Sequence, residues 1–258
     1  MKNKPTFKNI KNYGEITEEN DFFIQFTNKE IPDHYEANYL LLKFSPSLQE
    51  FMLIEKMHKD YQKSIQQRHL KFDWPDNLGL HPELLNYFDK ENYKIGMQYL
   101  YWITSDLFKI KRLNKNLSIQ KVTDQNFDDF LRINLEEDFL HGRKYFEHKK
   151  RMYTYQYPLK EVTFLLAYLN DQAVGSLILI HSKDYIEVDN VLTKAEFRKN
   201  KVATSMFSYV VNELLMPEQL VILVADAEDT PKEMYEKMGF QYASYQITAQ
   251  KDCNEVNS

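Results

Sequence analysis

The stretch from Ile186 to Leu214 constrains the fold most, because an alternating run is followed at once by a polar loop and a helical pattern. Residues 186–193 predict a β-strand, whose successive side chains point to opposite faces. Simple alternation gives two sets, Ile186, Val188, Asn190 and Leu192 on one face and Glu187, Asp189, Val191 and Thr193 on the other. Apolar residues then recur at helical spacing from Val202 to Leu214, and Pro217 ends that helix.

A second strand and helix follow. The apolar run Leu220–Ala225 predicts a buried strand. Thr230–Glu233 has the sequence of a capping box with proline at the first helical position, and Gly239 is placed to close the helix. The order is therefore strand, loop, helix, strand, helix.

Two motifs in this stretch resemble the GNAT superfamily of acyl-CoA-dependent N-acyltransferases. The loop Arg198–Ala203 is similar to the family pattern Gln/Arg-x-x-Gly-x-Gly/Ala, and Tyr235–Phe240 matches Tyr-Glu-Lys-x-Gly-Phe. Lys201 departs from the pattern, because the family usually has glycine there.

The loop also favours phosphate binding on physical grounds. A strand that turns directly into a helix points unpaired N–H groups at one place, next to the positive end of the helix dipole. Lys201 lacks the conformational freedom of glycine but adds a cation beside Lys199. The alternative is an ordinary exposed turn with solvated lysines.

The resemblance implies acetyl-CoA as co-substrate and no metal. Backbone groups near Val191, Leu192 and Thr193 would pair with the pantetheine arm as an added strand would. The predicted cofactor-binding residues are Val191, Leu192, Thr193, Arg198, Lys199, Asn200, Lys201, Val202, Ala203 and Thr204.

The reaction implied by the resemblance is direct attack of an amine on the thioester. The amine is protonated near neutrality, so a base or water relay must remove a proton. Asp189 is the first candidate and Glu187 the second, unless both are half-exposed strand carboxylates that only bind a cation. Tyr235 occupies the family position of the proton donor to the departing thiolate, and its alternative role is aromatic packing.

Composition narrows the class of protein. The formal charge of −5 disfavours nucleic-acid binding. Cys253 is the single cysteine, no apolar leader follows Met1, and the longest apolar runs, such as Val162–Leu169, are too short to span a bilayer. A cytoplasmic protein without a membrane segment is expected.

The expected fold class is α/β (α+β), with a GNAT-like mixed, mostly antiparallel sheet flanked by helices. Residues 113–258 are predicted to form the GNAT acetyltransferase domain, after a polar linker near residues 106–116. Residues 1–112 are predicted to form an N-terminal α/β domain. Its order of elements resembles the later half of a GNAT unit, which suggests a degenerate GNAT-like domain, and the alternative is an unrelated α/β domain.

Three details of the first half are also predicted. Residues 1–20 are expected to be a loose arm, and a long helix is expected from Ser47 to about His69. No counterpart of the Arg198–Ala203 loop follows the strand predicted to end at Phe44, so one CoA site per chain is expected.

Two main functions remain open. The first is an N-acetyltransferase that acts on an amine of a small molecule or a protein. The second is a non-catalytic acyl-CoA-binding or interaction module, with Lys201 a sign of decay. Aminoacyl transfer from tRNA by a paired-GNAT enzyme is a third idea, which a more basic surface would favour.

Overall fold

The computed structural model describes residues 4–110, 113–228 and 232–253. Contacts between Cα atoms divide the chain into two compact units that no single cut in the sequence separates. The N-terminal unit contains residues 12–99, 226–229 and 244–258, and the C-terminal unit contains residues 1–11, 100–225 and 230–243. The proposed boundary at residue 112 stays a prediction.

The N-terminal unit is a sheet with two helices. Its strands in spatial order are β1 (Glu15–Glu19), β2 (Phe23–Thr27), β3 (Tyr39–Leu42), β4 (His69–Asp73) and the end of β11 (Gln241–Asp252). Only β3 and β4 are parallel in that series. Helix α1 (Leu48–Ser64) precedes β4, and helix α2 (Pro82–Lys90) precedes β5 (Lys94–Ile103). The core gathers aromatic side chains, among them Phe51, Phe72, Trp74 and Phe88.

Two expectations for this unit are wrong. Residues 1–20 are not a loose arm throughout, because β1 pairs with β2. Every side chain of β1 is exposed, so this strand has no hydrophobic alternation to detect. The long helix ends at Ser64 and not near His69, because Gln66 has a left-handed φ of 60° and β4 begins at His69.

The C-terminal unit is a mostly antiparallel sheet with helices on both faces. Its strands are β6 (Leu117–Lys121), β7 (Val162–Leu169), β8 (Gln172–His181), β9 (Tyr185–Thr193) and β10 (Leu220–Asp226), and β10 is parallel to β9. Its helices are α3 (Phe127–Asp138), α4 (Arg143–Gln156), α5 (Val202–Tyr209), a π-helical turn (Val210–Leu214) and α6 (Lys232–Met238). The predicted fold class is confirmed.

Strand β8 identifies which helix covers each face. The Ser176 hydroxyl donates to Asn134 of α3, 3.0 Å away. A Cβ placed on Gly175 would lie 2.6 Å from Cγ1 of Val202 in α5, so α5 packs closely on the opposite face. The absence of a side chain at Gly175 therefore permits this close approach.

Helix α6 closes as predicted. Gly239 has a φ of 104°, and the N–H of Phe240 bonds to the carbonyl of Tyr235. The predicted capping box at Thr230–Glu233 begins outside the described residues.

Candidate active site

Strands β9 and β10 separate soon after they meet. Their parallel pairing covers three positions, from Tyr185–Leu220 to Glu187–Ile222. Beyond Glu187, β9 continues to pair with β8 as far as Thr193. The side of β9 that faces β10 therefore has unpaired backbone groups over the residues that the sequence assigned to the pantetheine arm.

A β-bulge interrupts β9 at the start of this gap. Asp189 pairs with Ile178 and Leu192 pairs with Ser176, so Asn190 and Val191 lie opposite one residue of β8. Asn190 has a φ of 46°.

The bulge corrects the predicted faces of β9. Side chains paired across strands share a face, so Leu192 joins Glu187 and Asp189 on the α3 face. Asn190 also turns to this face, since its amide donates to Asn134 at 2.8 Å. Simple alternation failed because the extra residue shifts the phase of every later side chain.

Asn190 is part of a buried polar chain. Its side-chain oxygen Oδ1 accepts hydrogen bonds from Lys149 Nζ at 3.2 Å and from the Tyr153 hydroxyl at 3.3 Å. Tyr153 also donates to Asp138 at 2.9 Å, and burial raises the pKa of that carboxyl. These contacts fix the bulge, and none of them is visible in the sequence because the partners lie on two other elements, α3 and α4.

The loop between β9 and α5 has the backbone geometry that glycine would give. Lys199 and Lys201 both lie in the left-handed region, with φ of 65° and 61°. That conformation costs a residue with a Cβ about 1–2 kcal/mol. Position 201 therefore has a conformation that glycine adopts without this penalty, although lysine occupies it.

The N-terminus of α5 is open. No side chain caps it, and its first helical bond runs from the N–H of Ser205 to the carbonyl of Lys201. The N–H groups of Val202, Ala203 and Thr204 therefore have no acceptor within the helix. Such a terminus suits an anion.

Asn114 holds this loop and was missed by sequence reasoning. Its amide donates to the carbonyl of Asn200 at 3.1 Å, and its N–H donates to the Ser205 hydroxyl at 3.1 Å. Asn114 lies in the polar stretch expected to be a linker, so no periodicity singled it out.

Arg198 is placed to reach a ligand. Its guanidinium contacts Glu137 at 3.3 Å and the carbonyl of Thr193 at 3.4 Å, and 59% of its side chain is exposed. An exposed ion pair of this kind contributes little and can exchange for a phosphate.

Glu187 and Asp189 lie on the same face of β9 but differ in their exposure to solvent. Asp189 is exposed and accepts the N–H of Asn190 at 2.7 Å. Glu187 is buried, and its carboxylate accepts the N–H of Lys11 at 2.7 Å. Burial raises the pKa of Glu187 to about 8, although the Lys11 N–H acts in the other direction.

A pocket of about 300 Å³ opens beside Glu187. Lys11 and Glu161 line it as well, and the Lys11 ammonium lies 2.9 Å from the carboxylate of Glu161. Neither Lys11 nor Glu161 was predicted, because they lie far from Glu187 in the sequence.

Tyr235 is buried, with its ring against Phe207, Phe240 and Tyr101 at centroid distances of 5.8, 5.7 and 6.0 Å. This packing accounts for the ring, and the role of the hydroxyl stays a prediction. Within the described residues, no group of three or more potential ligands could hold a metal ion.

Two protein-family models match this chain, one in each half. Residues 134–251 match the model of the acetyltransferase (GNAT) domain, and residues 6–101 match a domain of unknown function, DUF5613. The second half of the chain thus carries a GNAT domain, of an acyltransferase family, and this recognition is confirmed.

Solved structures extend the likeness over both halves. A functionally unknown conserved protein from Staphylococcus epidermidis is 27% identical, with a TM-score of 0.88 over 96% of this chain and 98% of that one. A GCN5-related N-acetyltransferase from Kribbella flavida is 9% identical, with a TM-score of 0.60 over 91% and 87%.

A tandem GNAT protein from the clavulanic acid biosynthesis pathway is 9% identical, with a TM-score of 0.52 over 85% of this chain and 76% of that one. The last two likenesses concern the fold alone. The sequence has no significant match among curated proteins. No helix among the described residues is long and apolar enough to cross a membrane.

Proposed function

We propose that the GNAT domain is an N-acetyltransferase that transfers an acetyl group from acetyl-CoA to an amine of a small molecule or a protein. The gap between β9 and β10 carries this proposal. The pantetheine arm would enter it, and the pyrophosphate would lie at Arg198–Thr204 against the open N-terminus of α5.

The two faces of the sheet separate the two substrates. Helix α5 lies on one face of β8, and the carboxylates of Glu187 and Asp189 lie on the other. The nucleotide of acetyl-CoA would bind on the α5 side, while the amine would approach from the carboxylate side. The amine nitrogen bonds to the acyl carbon, the carbon–sulfur bond breaks, and the proton leaves to a base.

Glu187 is the better candidate for that base, ahead of Asp189. A base works best when its pKa is close to the working pH, and the value near 8 meets this condition. Tyr235 would protonate the departing thiolate.

Thiol release from acetyl-CoA with a panel of amines tests the proposal, together with CoA binding by calorimetry. Turnover at low amine concentration should rise with pH through about 8, because Glu187 accepts a proton only when ionised. Glu187→Gln should remove that rise, whereas Asp189→Asn should retain it. Binding of CoA without thiol release from any amine would favour the non-catalytic alternative, and no binding at millimolar CoA would refute both.

A further inference from the structure

The pocket beside Glu187 borders the gap in the sheet. Glu187 is the last residue of β9 that pairs with β10, at Ile222, and the strands separate immediately beyond it. Glu187 shares its face with Asp189 and with Ile180, which also lines the pocket. An amine held here would lie at the entrance to the gap, on the face away from α5.

Two carboxylates and one lysine line the pocket, and the lysine forms an ion pair with one of the two carboxylates. The Lys11 ammonium lies 2.9 Å from the carboxylate of Glu161, while Glu187 accepts the Lys11 backbone N–H and feels the Lys11 charge without an ion-pair contact. Within the described residues, no cationic side chain forms an ion pair with Glu187. The carboxylate of Glu161 is therefore already neutralised, and the ionised form of Glu187 remains as the position for a cation.

The rest of the wall suits a small, partly apolar body. Ile180 and the half-buried Tyr185 supply its apolar part, and Asn9, His181 and Ser182 supply neutral or weakly basic polar groups. A volume of about 300 Å³ is at the lower end for small-molecule sites.

We propose that the pocket formed by Lys11, Glu161 and Glu187 binds the acceptor, and that this acceptor is a small primary amine with an apolar body and a single positive charge. Lys11 sets this specificity by occupying Glu161, which would otherwise attract a second ammonium group. The inference rests on the proposed function, since it names the acceptor of the same transfer.

Pentylamine and pentane-1,5-diamine form a matched pair of probes, because they share a carbon chain and differ in one ammonium group. Calorimetry on the CoA-loaded protein measures their affinities, and thiol release measures their kcat/KM. The unmodified protein should prefer pentylamine at least tenfold in affinity. Lys11→Met should reduce or invert this ratio by about tenfold, because it exposes a second carboxylate.

Three variants separate specificity from folding. Lys11→Arg keeps the charge and should keep the preference. Lys8→Met removes an exposed cation from the same segment, outside the pocket, and should change nothing. Glu161→Gln leaves the Lys11 charge uncompensated and should weaken binding of both amines.

A preference of the unmodified protein for the diamine, or an unchanged ratio in Lys11→Met, would overturn the inference. So would CoA binding without measurable affinity for pentylamine, or faster acetylation of a lysine-containing peptide. Selective pentylamine binding without any thiol release would support the pocket's specificity and refute the proposed transfer, so the two failures can be told apart.

Discussion

The strand pairs β9–β10 and β3–β4 are both parallel and both connect through a helix, yet they leave different surfaces open. β9 runs on past its last contact with β10 by six residues, to Thr193. β3 pairs with β4 at Leu40–Phe72 and Leu41–Asp73 and ends one residue later. Strand β3 therefore leaves no comparable length of backbone unpaired beside its parallel neighbour.

Helix α1, which follows β3, and helix α5, which follows β9, also differ in how their N-termini are capped. Ser47 caps α1, accepting the N–H of Glu50, while the Glu50 carboxylate accepts the N–H of Ser47. α5 has no such side chain. In α1 a side chain of the same segment accepts an N–H of the first turn, whereas in α5 the N–H groups of the first turn are available to a ligand.

The buried carboxylates Glu55, in the N-terminal unit, and Glu187, in the C-terminal unit, differ in their hydrogen-bond partners and in the direction of their pKa shifts. Burial disfavours the charge of Glu55, but bonds from Tyr87 and Tyr93 and the Lys251 ammonium hold its pKa below the ordinary value. Glu187 has a single N–H bond, and its pKa is raised. A buried acid with a full set of partners stabilises its surroundings, whereas one that lacks them is available for chemistry.

The largest expected effect tests these two acids. Glu55→Gln should cost about 3 kcal/mol of unfolding free energy at pH 7, because it removes the charge that Tyr87, Tyr93 and Lys251 surround and leaves Lys251 only the more distant Glu91 carboxylate, at 3.4 Å. Glu187→Gln should instead stabilise the protein above pH 8, because it removes a charge that burial disfavours.

The sign for Glu187 follows from its raised pKa. Between its ordinary value of 4.5 and about 8 the folded state alone keeps the proton, so stability falls as pH rises through that window. The gain from Glu187→Gln should therefore be present at pH 9 and absent at pH 4. Urea unfolding at the two pH values measures it, and equal effects of the two substitutions at pH 9 would remove the contrast.

Tyr235→Phe comes next. It keeps the ring packing but deletes the hydroxyl, so turnover should fall about 100-fold if the hydroxyl protonates the thiolate. CoA affinity and melting temperature should change little, since a loss confined to turnover marks an interaction made in the transition state. Full turnover would make Tyr235 a packing residue only.

Lys201→Glu tests the open helix terminus. It places an anion where the pyrophosphate would bind, so CoA affinity should fall at least tenfold, about 1.4 kcal/mol. Ser47→Ala is the matched control in the other unit and should leave CoA affinity unchanged. Calorimetry should give one CoA per chain, and a stoichiometry near two would show that the N-terminal unit has a site as well.

The smallest effect concerns backbone conformation. Lys201→Gly should raise the free energy of unfolding by about 1 kcal/mol, because glycine adopts a φ of 61° without penalty. Lys183→Gly, at an exposed position without a left-handed φ, should not stabilise. A loss of stability in Lys201→Gly would mean that the lysine side chain itself supports the loop.

Much of the C-terminal unit was predictable from local signals. The strand, loop and helix at Ile186–Leu214 and the closure at Gly239 follow from periodicity and turn chemistry, which depend on neighbours in the sequence. The motifs Arg198–Ala203 and Tyr235–Phe240 identified the GNAT domain for the same reason. The strand β1 was not predictable, because all its residues are exposed and it therefore has no hydrophobic alternation, although it pairs with β2.

By itself the sequence determined which segments become strands and helices, since alternation, helical spacing and caps act over a few residues. Only the tertiary structure decided the bulge at Asn190, which depends on the register between β8 and β9. It also decided the pocket, because Lys11 and Glu187 are 176 positions apart. Contacts at that separation leave no local pattern, so the geometry of the candidate site emerges only when the chain is folded.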